Sequence, residues 1–238
     1  MDLKIEFSSP LAGDIDHPKP SLSTIPDEYK KLSIELDKRK FDYTESSVKG
    51  CMPFLDAYTI GYTLTAPIEF GFQIIKENQH FHFKLILPDL FPKEALPYFN
   101  LENHNNQQVP EKLRSSYRTI DVVFKLLFPW KIKTPPGYSC IFTNPLNKNS
   151  PIKIIDGVVD TDSFHQVNFP FYWTGDINKE LTIIQKGTPL IQVIPFKREN
   201  WKMSVKKSEL DTYREKMKLS QFLKDNYKKL FWKKKSFK

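Results

Sequence analysis

Asp160 and Asp162 stand either side of Thr161 in GVVDTDSFHQVNFPF (157–171), with His165 shortly after them. Two carboxylates at this spacing in an extended turn project to the same side, where they share a cation or raise one another's pKa. The same residues equally suit a turn whose Asp side chains accept from nearby backbone amides. Both readings stand at this point. A second kind of chemistry lies at the far end of the chain. There Lys228, Lys229, Lys233, Lys234 and Lys235 interleave with Tyr227, Phe231, Trp232 and Phe237. Basic and aromatic residues mixed in this way suit nucleic acid or an anionic membrane surface. The alternative is an apolar stripe packed on the body or on a neighbouring subunit, with the lysines solvated.

His80 and His82 share one face of a strictly alternating segment, QHFHFKLILP (79–88), and Phe81, Phe83, Leu85 and Leu87 share the other. A His-x-His pair binds a metal if a third ligand joins it; Asp162 or His165 would complete the set of a non-haem iron oxygenase. A solvated outer face is the plainer reading. No Gly-x-Ser-x-Gly, Walker, Rossmann or Cys-x-x-Cys pattern occurs, which leaves nucleophilic and cofactor redox chemistry without a motif. Cys51 and Cys140 are the only cysteines and lack metal-type spacing. They read as a pair of buried intracellular thiols rather than a disulfide.

The elements that must position these residues are mostly strands. The chain has 18 prolines in 238 residues, spread through residues 10–195, which leaves little room for long helices there. Strands are expected over 58–75 (broken at Pro67), 79–88 and 119–128, and a short helix over the residues after Pro26. Residues 89–118 read as loop with a short helix near Glu111 to Tyr117. From Pro135 to Trp201, apolar β-branched runs alternate with turn signals, so consecutive strands are expected with Ile141, Val158, Val159, Ile191 and Val193 facing inward. Ser208 to Asp211 resembles a helix start, and Leu210, Tyr213, Met217, Leu223, Tyr227 and Leu230 carry a helical stripe, so 208–232 is expected to be an amphipathic helix. The net charge of +8 belongs to that tail: residues 202–238 hold thirteen Lys/Arg against four Asp/Glu, so residues 1–201 carry a net −1.

Four blocks, CMPFLDAYTIGY (51–62), PWKIKTPPGYSCIFTNPLN (129–147), GVVDTDSFHQVNFPF (157–171) and KGTPLIQVIPFKRENWKM (186–203), resemble an uncharacterised family of phage and bacterial proteins. More distantly, DAYTIGYTL (56–64), GVVDTD (157–162) and GTPLIQVI (187–194) resemble the first, third and fourth motifs of the trimeric dUTPase and dCTP deaminase superfamily, in the same order. That resemblance implies Asp160 as the carboxylate that orients the attacking water and Tyr62 as the first-motif tyrosine. The chain also departs from it. Thr63 stands where the magnesium-serving acid belongs, Pro145-Leu146-Asn147-Lys148 replaces the Arg-Ser-Gly phosphate grip, and the Gly-rich closing arm is absent. A triphosphate site without its metal acid, arginine and glycine cradle has lost most of its binding energy.

The resulting expectation is a mostly β protein, a β-clip or jelly-roll-like barrel of dUTPase-like type. It would comprise an extended N-terminal arm (1–25), a β-rich domain (26–203) and a basic amphipathic C-terminal helix (204–238). Its expected function is a non-catalytic binding or structural module, phage-encoded by resemblance. The rivals are a divergent nucleotide phosphohydrolase or deaminase using Asp160 (with Asp162 and Tyr62), and an iron oxygenase using His80 and His82. No cofactor is expected, with Mg only if dUTPase-like activity is retained. A homotrimer in the host cytoplasm or virion is expected, with nucleic acid or an anionic surface met through the tail and no transmembrane segment.

Overall fold

The computed structural model describes residues 3–35, 47–77, 80–104, 106–112, 122–150, 152–207 and 227–238. In chain order its strands are β1 (Glu6–Ser8), β2 (Lys19–Pro20), β3 (Tyr62–Thr65), β4 (Phe70–Glu77), β5 (His80–Ile86), β6 (Asn100–His104) and β7 (Val123–Leu127). They continue as β8 (Lys131–Lys133), β9 (Tyr138–Thr143), β10 (Ile152–Ile154), β11 (Gly157–Val159), β12 (Phe169–Trp173), β13 (Leu181–Ile184) and β14 (Pro189–Lys197). Among the described residues two α-helices precede β3: α1 (Asp27–Lys31) and α2 (Met52–Thr59).

These strands form four antiparallel sheets: β11-β9-β14-β3-β2, β10-β12-β7-β6, β13-β4-β5 and the pair β1-β8. The protein is mostly β, as the alternation predicts. Among the described residues no sheet closes on itself, so the architecture is a set of open antiparallel sheets. No helix among the described residues is long and apolar enough to cross a membrane.

Aromatic side chains join the sheets. Phe72 of β4 stacks on Trp173 of β12 with centroids 4.2 Å apart and planes 14° apart, and meets Phe124 of β7 edge-on at 5.4 Å. Phe169 of β12 reaches Phe142 of β9 at 5.4 Å, which carries the core into the five-stranded sheet. All of these rings are buried in one contiguous cluster. Offset and edge-to-face packing of this kind adds to the area each ring buries.

Several local expectations change. The strand expected from residue 58 starts at Tyr62, because Pro53 sits in the first turn of α2 and the helix runs to Thr59. The chain then turns into β3 through Gly61 at φ +73°, where a Cβ would lie 2.1 Å from the Val193 carbonyl oxygen. Within the expected loop 89–118, Asn100–His104 forms β6 against β7, its polar side chains hiding the signal. Ile191 and Val193 face the core as expected and Val159 packs against it, but Val158 is 62% exposed because successive residues of β11 point to opposite faces. Cys140 is buried and Cys51 is exposed, both free, so the two do not form a buried pair. The expected tail helix 208–232 lies outside the described residues except for a π-helical turn at Tyr227–Phe231.

Candidate functional site

The acidic turn after β11 is braced from two sides. Arg198, just past β14, reaches both carboxylates: Nη1 lies 3.2 Å from Asp160 and 3.0 Å from Asp162, and Nη2 pairs with the second oxygen of Asp162. The Asp160 carboxylate also accepts from Ser139 Oγ at 2.6 Å, and Asp162 accepts from the Gly137 amide at 2.8 Å. The two do project to one side, and what they share there is a guanidinium. Such a bidentate pair is the strong form of a charge-assisted hydrogen bond. Bonding to Arg198, then to the Gly137 amide, draws the Asp162 carboxyl down to about 2. The folded value lies below the ordinary carboxylate value of about 4, so this stabilisation is present above that pH and is lost as pH falls toward the folded value. Asp162→Asn is therefore expected to melt below the wild type at neutral pH, with the gap closing between about pH 4 and 2. A series of melting temperatures against pH checks it; a gap that stays constant to pH 2 contradicts it.

The other sequence-predicted residues lie apart from this turn. Tyr62 packs edge-on with Phe7 (5.4 Å) and Phe237 (6.0 Å), and its hydroxyl donates to the Lys238 carbonyl at 3.3 Å. His80 and His82 lie on β5 at the edge of the three-stranded sheet, in register with Glu77 and Ile75 of β4. Asp162 and His165 follow β11 in a different sheet, and among the described residues no three metal-ligating side chains come together. The tail returns to the body: Trp232 Nε1 donates to both carboxylate oxygens of Asp56 on α2 (3.1 and 3.0 Å), and Lys235 pairs with the same carboxylate. Lys228, Lys229, Lys233 and Lys234 remain exposed.

A pocket of about 730 Å³ opens between α1, α2 and the loop after β9. Tyr29, Phe54 and Tyr58 supply its aromatic wall, with centroids 4.9–5.9 Å apart. Lys148 lies 5.7 Å over the Tyr58 ring and donates to Thr24 Oγ1 at 2.7 Å. Among the described residues it has no carboxylate partner. Burial disfavours its charged form and lowers its pKa to about 8. Hydroxyls continue inward from Thr24 to Thr63 (3.3 Å) and on to Ser21 (2.9 Å), the last two fully buried. The Tyr29 hydroxyl is buried without a partner among the described residues.

Gln192 holds the two sides of this pocket together. It is fully buried on β14; its amide donates to the carbonyls of Ala57 (3.0 Å) and Ile60 (2.8 Å) at the end of α2. Its carbonyl accepts from the Leu146 amide at 2.9 Å in the loop that carries Lys148. Neither Gln192 nor Arg198 stood out in the sequence reading. A lone Gln inside LIQVI was the available signal, since a buried polar side chain needs partners. Arg198 offered none, because its carboxylates lie 36 and 38 residues away. No protein-family model matches this chain, and no curated protein matches it.

Proposed function

We propose that the chain is a non-catalytic binding module on a dUTPase-like β scaffold. One observation carries this: both carboxylates of the acidic turn are engaged by Arg198, with Ser139 and the Gly137 amide taking further positions. A carboxylate that orients a water or a metal needs free lone pairs directed at substrate. Both oxygens of Asp162 and one oxygen of Asp160 are spent in this way, which ties β9, β11 and the end of β14 together. The three resembling blocks fall at α2–β3, at β11 with its turn, and on β14, with the strands of one sheet among them, which supports the scaffold. The docking of Trp232 and Lys235 on Asp56 supports a packing role for that end of the tail.

Purified protein given dUTP or dCTP is expected to turn over far more slowly than about 1 per second, an ordinary enzymatic rate. Positioning and charge stabilisation supply most phosphoryl-transfer catalysis, and the residues that provide them are replaced here. Turnover at that rate, abolished in Asp160→Asn, would return Asp160 to a catalytic role.

A further inference from the structure

We propose that the pocket between α1, α2 and the loop after β9 binds a small molecule made of a flat ring and one anionic group, the anion on Lys148 and the ring on the aromatic wall. This rests on the non-catalytic reading above and names the ligand class that such a module would take.

The charge comes first. An ammonium with one hydroxyl partner, at Thr24, and no carboxylate partner among the described residues is a cation held partly out of water without a counter-charge. Desolvation makes that arrangement costly, and an incoming anion offsets the cost while gaining a charge-assisted hydrogen bond. The hydroxyl network behind Lys148 supplies no negative charge, since Thr24, Thr63 and Ser21 are all neutral. The other charges near the pocket limit the ligand's charge. Asp27 is paired with Lys30 at 2.9 Å, and Glu28 stands exposed on the lining, close enough to raise the Tyr58 pKa alongside burial. One lysine set against Glu28 favours a single anionic group over a polyanionic chain.

The wall supplies the rest. Phe54 is half-buried and offers the accessible ring, while Tyr29 and Tyr58 are nearly covered and hold it in place from behind. Aromatic faces stack flat rings with little sequence or substituent preference. The buried Tyr29 hydroxyl has no partner among the described residues, which marks a polar requirement on this wall that the chain leaves unmet. The volume falls in the range of small-molecule sites, which hold a few polar groups on a mostly apolar lining. Affinity for such an anion should fall above about pH 8, where Lys148 loses its proton; Asp27, Glu28, Tyr29 and Tyr58 are the other titratable groups around it.

Calorimetric titration at pH 7 tests the site with 4-hydroxybenzoate (ring carboxylate), uridine 5′-monophosphate (ring phosphate), inorganic phosphate (anion alone) and uridine (ring alone). At least one ring anion is expected to bind about tenfold or more tightly than phosphate or uridine, as adding a charge-assisted bond to stacking requires. The preferred ring anion tells carboxylate from phosphate. Lys148→Met should weaken it about tenfold, and Lys148→Arg should keep most of it; a thermal melt of each variant confirms that it is folded. Millimolar ring anions that give no heat, or a Lys148→Met protein that binds as well as wild type, overturn the site. Asp160→Asn, titrated in parallel, separates the two readings. If it abolishes binding while Lys148→Met does not, the ligand belongs to the acidic turn and the non-catalytic reading falls as well. If nothing binds and dUTP is still not turned over, only the pocket assignment falls.

Discussion

Trp173→Ala is expected to lower folding stability by about 3–5 kcal/mol, the range for deleting a fully buried aromatic side chain. Trp173 has no exposed surface, and its indole is stacked on Phe72 of a different sheet. Gly175 makes room for the ring: a Cβ there would lie 2.5 Å from the indole. The substitution therefore leaves a cavity at the junction of β4 and β12, where rigid strands on both sides limit collapse. Total stability of a domain is roughly 5–15 kcal/mol, so the loss is a large share of it. Urea denaturation measures the change, with Trp173→Phe as the milder control. A loss under about 1 kcal/mol would mean that the sheets do not depend on this contact.

Gln192→Leu is expected to cost about 1–3 kcal/mol, although leucine has nearly the same volume and suits a strand. The substitution strips partners from two carbonyls, Ala57 and Ile60, and one amide, Leu146, around a residue with no solvent exposure. A buried group left unsatisfied costs about 1–3 kcal/mol, and these three are part-buried, so water offsets some of that cost. The damage should also reach function, because those three groups belong to the helix and the loop that flank the Lys148 pocket. Denaturation and ring-anion titration on the same protein read both effects. A Gln192→Leu protein as stable as the wild type, with unchanged affinity, would show that the helix and the loop are held by other means.

Much of the scaffold was legible because period-two alternation bounded by turns leaves a strong trace. β5 and the run from β9 to β14 appear close to where the alternation puts them. The failures have local causes. Helix α2 is short and continues into a strand-like run, so Pro53 was its main marker. In β6, Leu101 is the only large apolar residue, and tertiary pairing with β7 overrides its polarity. The carboxylates were visible in the sequence, whereas the guanidinium that braces them depends on strand neighbours far apart in the chain. Lys148 and Thr63 were visible only as departures from a resemblance. The fold joins them through Thr24, which turns two separate absences into one uncompensated cation beside an aromatic wall.

In the reading proposed here ligand chemistry sits at Lys148 and the acidic turn is structural. Amide chemical shifts recorded during a titration with the tightest ring anion test it most directly. The predicted result is movement centred on Tyr29, Phe54, Tyr58 and Asn147 to Asn149, with Asp160 to Ser163 and Arg198 unmoved. Shifts concentrated at Asp160 to Ser163 and Arg198, with the Lys148 loop silent, would contradict it.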